Sequence, residues 1–307
     1  MRYTTLGAIT LGLILLRCGG RITPPVYDGS RAYTYLQQQT SFGPRVPGTI
    51  AASQCLDFMI RHFRTLSQKV DTQSFTFRDP YSSRSIPLVN VIARFQGLEA
   101  GTDPILLIAH WDSRPRTDFP TDQARSDEPI LGANDGASGV AVLMELANLF
   151  SARPPACDIV ILLVDGEDWG KSGDLDFYLL GSKHFASRDI RGRYRFGIVV
   201  DMIGDKDQQI YREEFSNEYY LPLNNMIWNA ARELGIATFH DSVKHTVTDD
   251  HLPISAAGVP TVDIIDFDYP YWHTDQDTPD KCSAEALSNV GRVLAEIAYN
   301  RNLWPND

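Results

Sequence analysis

Cysteine is scarce in this 307-residue chain, and its four copies never form the Cys-x-x-Cys spacing that is typical of structural zinc sites. Positive charge is also in short supply, because 28 lysines and arginines face 39 acidic residues for a formal charge of -11. No basic patch stands out, which argues against nucleic acid or an anionic membrane surface as a partner. Internal repeats, low-complexity segments and interdomain linkers are missing as well. The length therefore favours one large domain.

The N-terminus carries a short apolar run. Arg2 followed by residues 6–16 has the layout of a secretory signal, and this run is too short for a comfortable membrane span. Cys18 comes directly after Leu-Leu-Arg and resembles the cleavage site of a bacterial lipoprotein, although a small residue is expected where Arg17 stands. We predict a signal in residues 1–20 and one catalytic domain in residues 21–307. The protein is then exported to the periplasm or lipid-anchored at the cell envelope, and that anchor is its only membrane contact.

The other three cysteines are Cys55, Cys157 and Cys282. An oxidising compartment permits one disulfide, but the sequence does not say which two would pair. We expect all three to be buried as small apolar side chains and not to bind metal. A monomer is expected.

Apolar segments of two kinds alternate along the chain. Short runs such as 89–95, 105–109, 159–164, 197–200 and 261–265 predict buried strands, and residue patterns at helical spacing separate them, for example around 49–66, 140–147 and 223–234. Ser283 is placed to cap a last helix. This alternation predicts an α/β fold, a three-layer sandwich with a central, mostly parallel mixed β-sheet flanked by helices.

Ionisable side chains follow several of these strands. His110 comes after one strand, Glu167 and Asp168 after another, and Asp201 after a third. In such folds the sites lie beyond the carboxyl ends of the strands, so we expect these side chains to meet. In His110-Trp111-Asp112 the imidazole can bind a metal while the carboxylate holds its other nitrogen.

Further candidates lie in loops. Asp135 is the acid of the tight Gly132–Gly139 loop, Asp250 belongs to an Asp-Asp-His run, and Trp272 precedes His273. Each alone has an ordinary explanation as a helix cap, a solvated acid or a packed aromatic pair. Together they provide histidine and carboxylate ligands without cysteine, which suits a catalytic zinc with an open position.

The ordered set resembles the zinc aminopeptidases of the M28 family and their relatives, the glutaminyl cyclases, over roughly residues 40 to 300. Several details look more like the cyclases, namely Trp272 before His273, the segments 249–253 and 179–184, and the Glu167-Asp168 pair, which is similar to the variant in bacterial cyclases. His110 and Asp201 occur in both groups and do not decide between them.

The resemblance to the cyclases implies a zinc-dependent glutaminyl-peptide cyclotransferase, which acts on peptides or proteins with N-terminal glutamine. Asp135, Asp168 and His273 would hold one zinc ion, and Glu167 would move the proton. Asp201 and Asp250 would share a hydrogen-bond network with Glu167, and two tryptophans, Trp272 and Trp169, would wall the pocket.

Two alternatives stay open. The first is an M28 aminopeptidase with two zinc ions, in which His110 and Asp201 bind the second metal, Asp135 bridges, and Glu167 activates a water molecule. The second is a non-catalytic surface lipoprotein or binding module that kept the fold.

Overall fold

A computed structural model describes residues 21–67, 69–99, 101–119, 121, 125 and 127–305. The predicted export or lipoprotein signal in residues 1–20 lies outside the described residues. Within the described ranges, no helix is both long and apolar enough to cross a membrane.

Eight strands form two sheets in the described residues. The strands are β1 (Lys69–Arg78), β2 (Ser85–Phe95), β3 (Ile105–His110), β4 (Ile159–Val164), β5 (Phe196–Asp201), β6 (Ile210–Glu213), β7 (Phe239–His245) and β8 (Thr261–Ile265). The central sheet has six strands in the order β1-β2-β4-β3-β5-β8. Its first two pairings, β1 with β2 and β2 with β4, are antiparallel, and the remaining three are parallel. The second sheet joins β6 to β7.

Helices cover both faces of the large sheet. They are α1 (Gly29–Ser41), α2 (Ile50–Leu66), α3 (Ala137–Ala152), α4 (Leu180–Ala186), α5 (Glu214–Tyr219), α6 (Leu221–Glu233), α7 (His251–Ala256) and α8 (Ala284–Tyr299). On β3, Leu107 belongs to the core cluster formed with α1, α2, α3, α6 and α8, whereas Leu106 and Ile108 belong to the cluster with α4 and α7. The central strands are therefore buried on both faces, which explains their uninterrupted apolar sequences.

The predicted fold class is confirmed, and the main helices and strands lie close to their predicted positions. Ser283 caps α8 by accepting a hydrogen bond from the backbone nitrogen of Ala286 at 3.1 Å. Four elements were not predicted from the sequence, because they are short and lack a clear apolar period: β6, β7, α5 and α7. Cys55, Cys157 and Cys282 are free and buried, as expected.

Candidate active site

The carboxyl ends of the parallel strands bring the predicted residues together. His110 is the last residue of β3 and pairs in register with Val164 of β4. Asp201 is the last residue of β5 and pairs with Ile265 of β8. Because parallel strands end at the same edge of a sheet, the loops after β3, β4, β5 and β8 share one cleft.

Asp135, Asp168 and His273 form a compact ligand group in this cleft. One ligand atom from each residue lies within 4.8 Å of the others. His273 Nε2 is 3.1 Å from Asp168 Oδ1 and 3.7 Å from Asp135 Oδ2. Asp135 Oδ2 and Asp168 Oδ2 are buried and receive no hydrogen bond from the described residues. Two orphaned carboxylate oxygens beside an imidazole fit a zinc ion, since buried charges of this kind are stable only when paired or metal-bound.

Close backbone packing at Gly136 and hydrogen bonds to Asp277 fix the loop that carries Asp135. Gly136 has φ +92°, and a Cβ there would lie 2.6 Å from the carbonyl oxygen of Asp112 and 3.0 Å from His110 Cε1. Asp277 accepts hydrogen bonds from the backbone nitrogens of Asn134 at 2.8 Å and Asp135 at 3.1 Å. Glycine is therefore needed for the close approach, and Asp277 fixes the direction of Asp135.

Asp118 and Arg114 support the ligand group from the loop after β3. Asp118 Oδ2 lies 2.8 Å from His273 Nδ1. Arg114 is buried and contacts Asp118 Oδ2 at 2.8 Å and Asp168 Oδ1 at 3.2 Å. With its Nδ1–H donated to Asp118, His273 keeps Nε2 free for a metal. No role was predicted for Arg114 or Asp118 from the sequence.

The electrostatic balance of the ligand group favours an ionised Asp168. Burial opposes ionisation, but the charges of His273 and Arg114 hold the pKa of Asp168 well below its usual range. For Asp135, burial together with the charge of Asp168 outweighs the opposing effect of His110 and raises the pKa to about 7. Burial lowers the pKa of His273, yet the charge of Asp168 and the bond to Asp118 outweigh it and raise that pKa to about 9. A bound cation would relieve the repulsion between the two acids.

His110 forms a second group with Asp135 and Asp201. His110 Nε2 is 3.1 Å from an oxygen of each acid, and the three residues are also compact enough to hold an ion. Asp112 lies 3.5 Å from His110 Nδ1, the side on which the sequence predicts a carboxylate. Its oxygens accept hydrogen bonds from the backbone nitrogens of Glu167 at 3.1 Å and Asp168 at 3.3 Å, so Asp112 also shapes the loop after β4.

Glu167 lines the cleft next to the ligand group. Burial, and then the negative charge of Asp168, raise the pKa of Glu167 well above its ordinary value. A carboxylate with a raised pKa is suited to take up and pass on a proton.

The predicted hydrogen-bond network around Glu167 is not made directly. Asp201 Oδ1 contacts His110 and accepts the backbone N–H of Met202 at 2.8 Å. Asp250 is buried outside the cleft lining, and its Oδ1 accepts the hydroxyl of Ser182. The acid that faces the cleft from this run is Asp249. Asp250 therefore acts on Glu167 only through its charge, which contributes to the raised pKa.

Aromatic side chains wall the cleft, whose volume is about 300 Å³. Trp272 lines it, as predicted from its sequence, and its ring stacks on that of His273 with centroids 3.9 Å apart. Phe119 and Phe267 flank Trp272 at 6.1 Å and 5.1 Å.

Trp169 does not wall the cleft, contrary to the expectation from sequence. It packs with Ile86, Leu88 and Leu180 in a separate apolar cluster. Its indole Nε1 donates to Asp79 Oδ1 at 3.0 Å, which satisfies the polar end of the ring away from the cleft.

The backbone is strained at two points of the site. His273 has φ +55° and Met202, directly after Asp201, has φ +47°. Each such left-handed residue costs about 1–3 kcal/mol. Strain of this kind is typical of positions that a functional geometry requires.

Comparisons with known proteins agree with this geometry. A glutaminyl cyclase from Bacteroides thetaiotaomicron, solved with N-acetylhistamine bound, is 34% identical with a TM-score of 0.84, and the match covers 91% of this chain and 99% of that one. A Zn-dependent exopeptidase from Parabacteroides distasonis is 31% identical with a TM-score of 0.85, covering 91% of this chain and 100% of that one. The glutaminyl-peptide cyclotransferase-like protein of Bos taurus is 26% identical over 281 residues, which are 82% of this chain and 70% of that protein.

The family match extends over residues 90–298, from β2 through most of α8, and therefore includes every predicted ligand and Glu167. The predicted resemblance is thereby confirmed. The chain belongs to peptidase family M28.

Proposed function

We propose that this protein is a zinc-dependent glutaminyl-peptide cyclotransferase. It converts the N-terminal glutamine of a peptide to pyroglutamate and releases ammonia. The observation that carries the proposal is a buried Asp-Asp-His ligand group beside Glu167, a candidate proton acceptor, in one cleft. The similarity of the chain to a bacterial glutaminyl cyclase, which covers 91% of its length, supports the same function.

Asp135, Asp168 and His273 would hold one zinc ion, with Asp118 and Arg114 orienting the set. When bound, zinc polarises a carbonyl group and stabilises the negative charge that develops on its oxygen. The reaction consumes no water, so a second ion to activate one is not needed.

Glu167 performs the proton transfer. The α-amine of the substrate attacks Cδ of its own glutamine side chain, a new C–N bond forms, and the bond from Cδ to the amide nitrogen breaks. Glu167 accepts a proton from the attacking amine and returns it to the departing nitrogen, which leaves as ammonia. The raised pKa of Glu167 suits both halves of this transfer.

The cleft wall restricts what can enter. Trp272 and Phe267 provide a flat apolar surface for the methylene groups of glutamine. Glu167, Asp201 and Asp249 line the same cleft and give it a negative potential, which attracts the positively charged N-terminus of a peptide. A volume of about 300 Å³ suits one terminal residue.

A two-zinc aminopeptidase is the second candidate. It is favoured by the group of His110, Asp135 and Asp201, which is as compact as the first ligand group. In that case Asp135 would be a ligand shared by both ions, and Glu167 would activate a water molecule. Zinc content in a His110→Ala variant separates the two functions, because a one-zinc cyclase keeps its ion and a two-zinc peptidase loses one.

We also propose export of the protein, based on the apolar run and Cys18 in residues 1–20. Removal of these residues is expected to leave a soluble, active enzyme. Failure of the truncated chain to fold would contradict a signal function for the segment.

A paired assay tests the proposed function. The purified protein is incubated with two peptides that differ only in an N-terminal glutamine or leucine, and ammonium and free amino acids are measured. The cyclase predicts ammonium from the first peptide and no product from the second. Release of free leucine would establish the peptidase. No product from either peptide, with zinc bound, would support the non-catalytic binding module.

A further inference from the structure

A second buried cluster of ionisable groups lies behind the cleft. It consists of Glu213 at the end of β6, Asp249 in the loop before α7, His251 at the start of α7, and Asp263 within β8. Their exposed fractions are 1%, 3%, 1% and 0%. Neither ligand group in the cleft uses any of the four. The cluster therefore requires its own explanation, independent of the proposed cyclase.

Several atoms of this cluster lack partners. Both carboxylate oxygens of Asp263, Asp249 Oδ2 and the two ring nitrogens of His251 are buried without a hydrogen bond from the described residues. One ligand atom each from Asp249, His251 and Asp263 lies within 4.8 Å of the others. A buried polar atom without a hydrogen bond destabilises the folded state, and more so when it is charged, so a cluster of such atoms indicates a missing binding partner.

Glu213 defines the orientation of His251. Glu213 Oε2 is 3.4 Å from His251 Nε2 and accepts short hydrogen bonds from the backbone and hydroxyl of Ser216, both at 2.7 Å. His251 Nδ1 points the other way and lies 3.9 Å from Asp263 Oδ2. A histidine with a supporting carboxylate at one nitrogen, and a second carboxylate near but not hydrogen-bonded to the other, has the arrangement of a metal ligand with its supporting acid.

The charges of the cluster demand compensation. Burial, followed by the negative charges of Asp249 and Glu213, raises the pKa of Asp263 well above its ordinary value. Burial and the charge of Asp201 likewise raise the pKa of Asp249 to about 6. Two mutually repelling buried acids next to an imidazole are stable with a cation between them, and mixed oxygen and nitrogen ligands suit divalent metals of the zinc and manganese type.

We propose that Asp249, His251 and Asp263 form a second, structural site for a divalent transition-metal ion, with Glu213 supporting His251. The site ties the loop before α7 to β8, the strand at one edge of the six-stranded sheet. Asp249 also lines the cleft, so a cation here would fix part of the cleft wall.

Cobalt binding to an Asp135→Ala variant tests the proposal. Asp135 belongs to both ligand groups of the cleft, so its removal weakens cation binding there and leaves the second cluster intact. The folded variant is expected to retain one Co²⁺ per chain, detected by metal analysis and by the visible absorption of the ion. Absence of bound Co²⁺ would overturn the proposal and indicate a proton shared between Asp249 and Asp263.

Two further variants locate the ion. Adding Asp263→Asn to Asp135→Ala should remove the bound Co²⁺, whereas adding Asp266→Asn should not, because Asp266 is an equally buried acid whose oxygens accept backbone N–H groups instead. Cobalt binding that survives Asp263→Asn would contradict the assignment.

Anomalous diffraction from crystals of the unaltered chain grown with Zn²⁺ is independent of any variant's folding. A peak between Asp249, His251 and Asp263 is expected, and a map without that peak would overturn the site.

Discussion

The imidazole of His273 lies between two carboxylates, with Nδ1 2.8 Å from Asp118 Oδ2 and Nε2 3.1 Å from Asp168 Oδ1. Asp118 comes from the loop after β3, and Asp168 follows β4. Arg114 contacts both acids. Its buried guanidinium therefore links Asp168, a ligand, to Asp118, which orients the ligand His273. The geometry of the ligand group therefore depends on Arg114 and Asp118, two residues of the loop after β3 that are not themselves ligands.

We expect Asp118→Asn to lower zinc affinity by about 10–100-fold, because loss of a carboxylate partner weakens the orientation and basicity of a metal-bound histidine. Competition with a chelator measures the change. Asp127→Asn, an exposed acid in the same loop, is the matched control and should bind zinc normally. Equal affinities for the two variants would show that Asp118 does not position His273.

Glu167→Gln should abolish turnover and leave zinc content unchanged, because it removes the proton acceptor without removing a ligand. Steady-state kinetics and metal analysis on the same preparation check both parts. Glu218→Gln, an exposed substitution of the same kind on α5, should behave as the unaltered enzyme. Retained turnover in Glu167→Gln would assign the proton transfer to another group.

Asp168→Ala should lose bound zinc and activity together. The ligand disappears, and the buried Arg114 loses one of its two acidic contacts. Metal analysis after dialysis and a thermal unfolding scan record both effects, with Asp176→Ala as an exposed control close by in the chain. Unchanged zinc content would place the ligand elsewhere in the cleft.

The pH profile of the activity should show an acidic limb at a pH above the ordinary pKa of a glutamate carboxyl. Burial and the charge of Asp168 raise the pKa of Glu167, and only its ionised form accepts a proton. Activity therefore falls as the pH decreases through this raised pKa. The limb in kcat should shift in Glu167→Asp and stay in place in Glu218→Gln. An acidic limb that stays at the same pH in Glu167→Asp would show that another group titrates.

The residues that the sequence placed at one edge of the sheet share a local signal. His110 and Asp201 each end an apolar strand, and Glu167 and Asp168 follow one closely, so an ionisable side chain after a buried run was enough to place them at one edge of the sheet. The family resemblance then selected Asp135 and His273 from loops that have no such signal.

The residues that the sequence missed act over long distances in the chain. Asp118 contacts a histidine 155 residues away, and Asp277 holds the Asp135 loop from 142 residues away. Nothing in the spacing of Arg114 and Asp118 distinguishes them from the solvated charges of a polar loop. The position of Trp169 in the cleft wall was predicted wrongly for the same reason. Its hydrogen-bond partner Asp79 lies 90 residues earlier in the chain, directly after β1.

The most direct test of the cyclase is the reaction of a glutamine-initiated peptide in water enriched in ¹⁸O, followed by mass spectrometry. We expect a product lighter than the peptide by one ammonia molecule, with every residue retained and no ¹⁸O incorporated. A shortened peptide together with free glutamine that carries ¹⁸O would contradict it, because hydrolysis takes an oxygen from water and cyclisation does not.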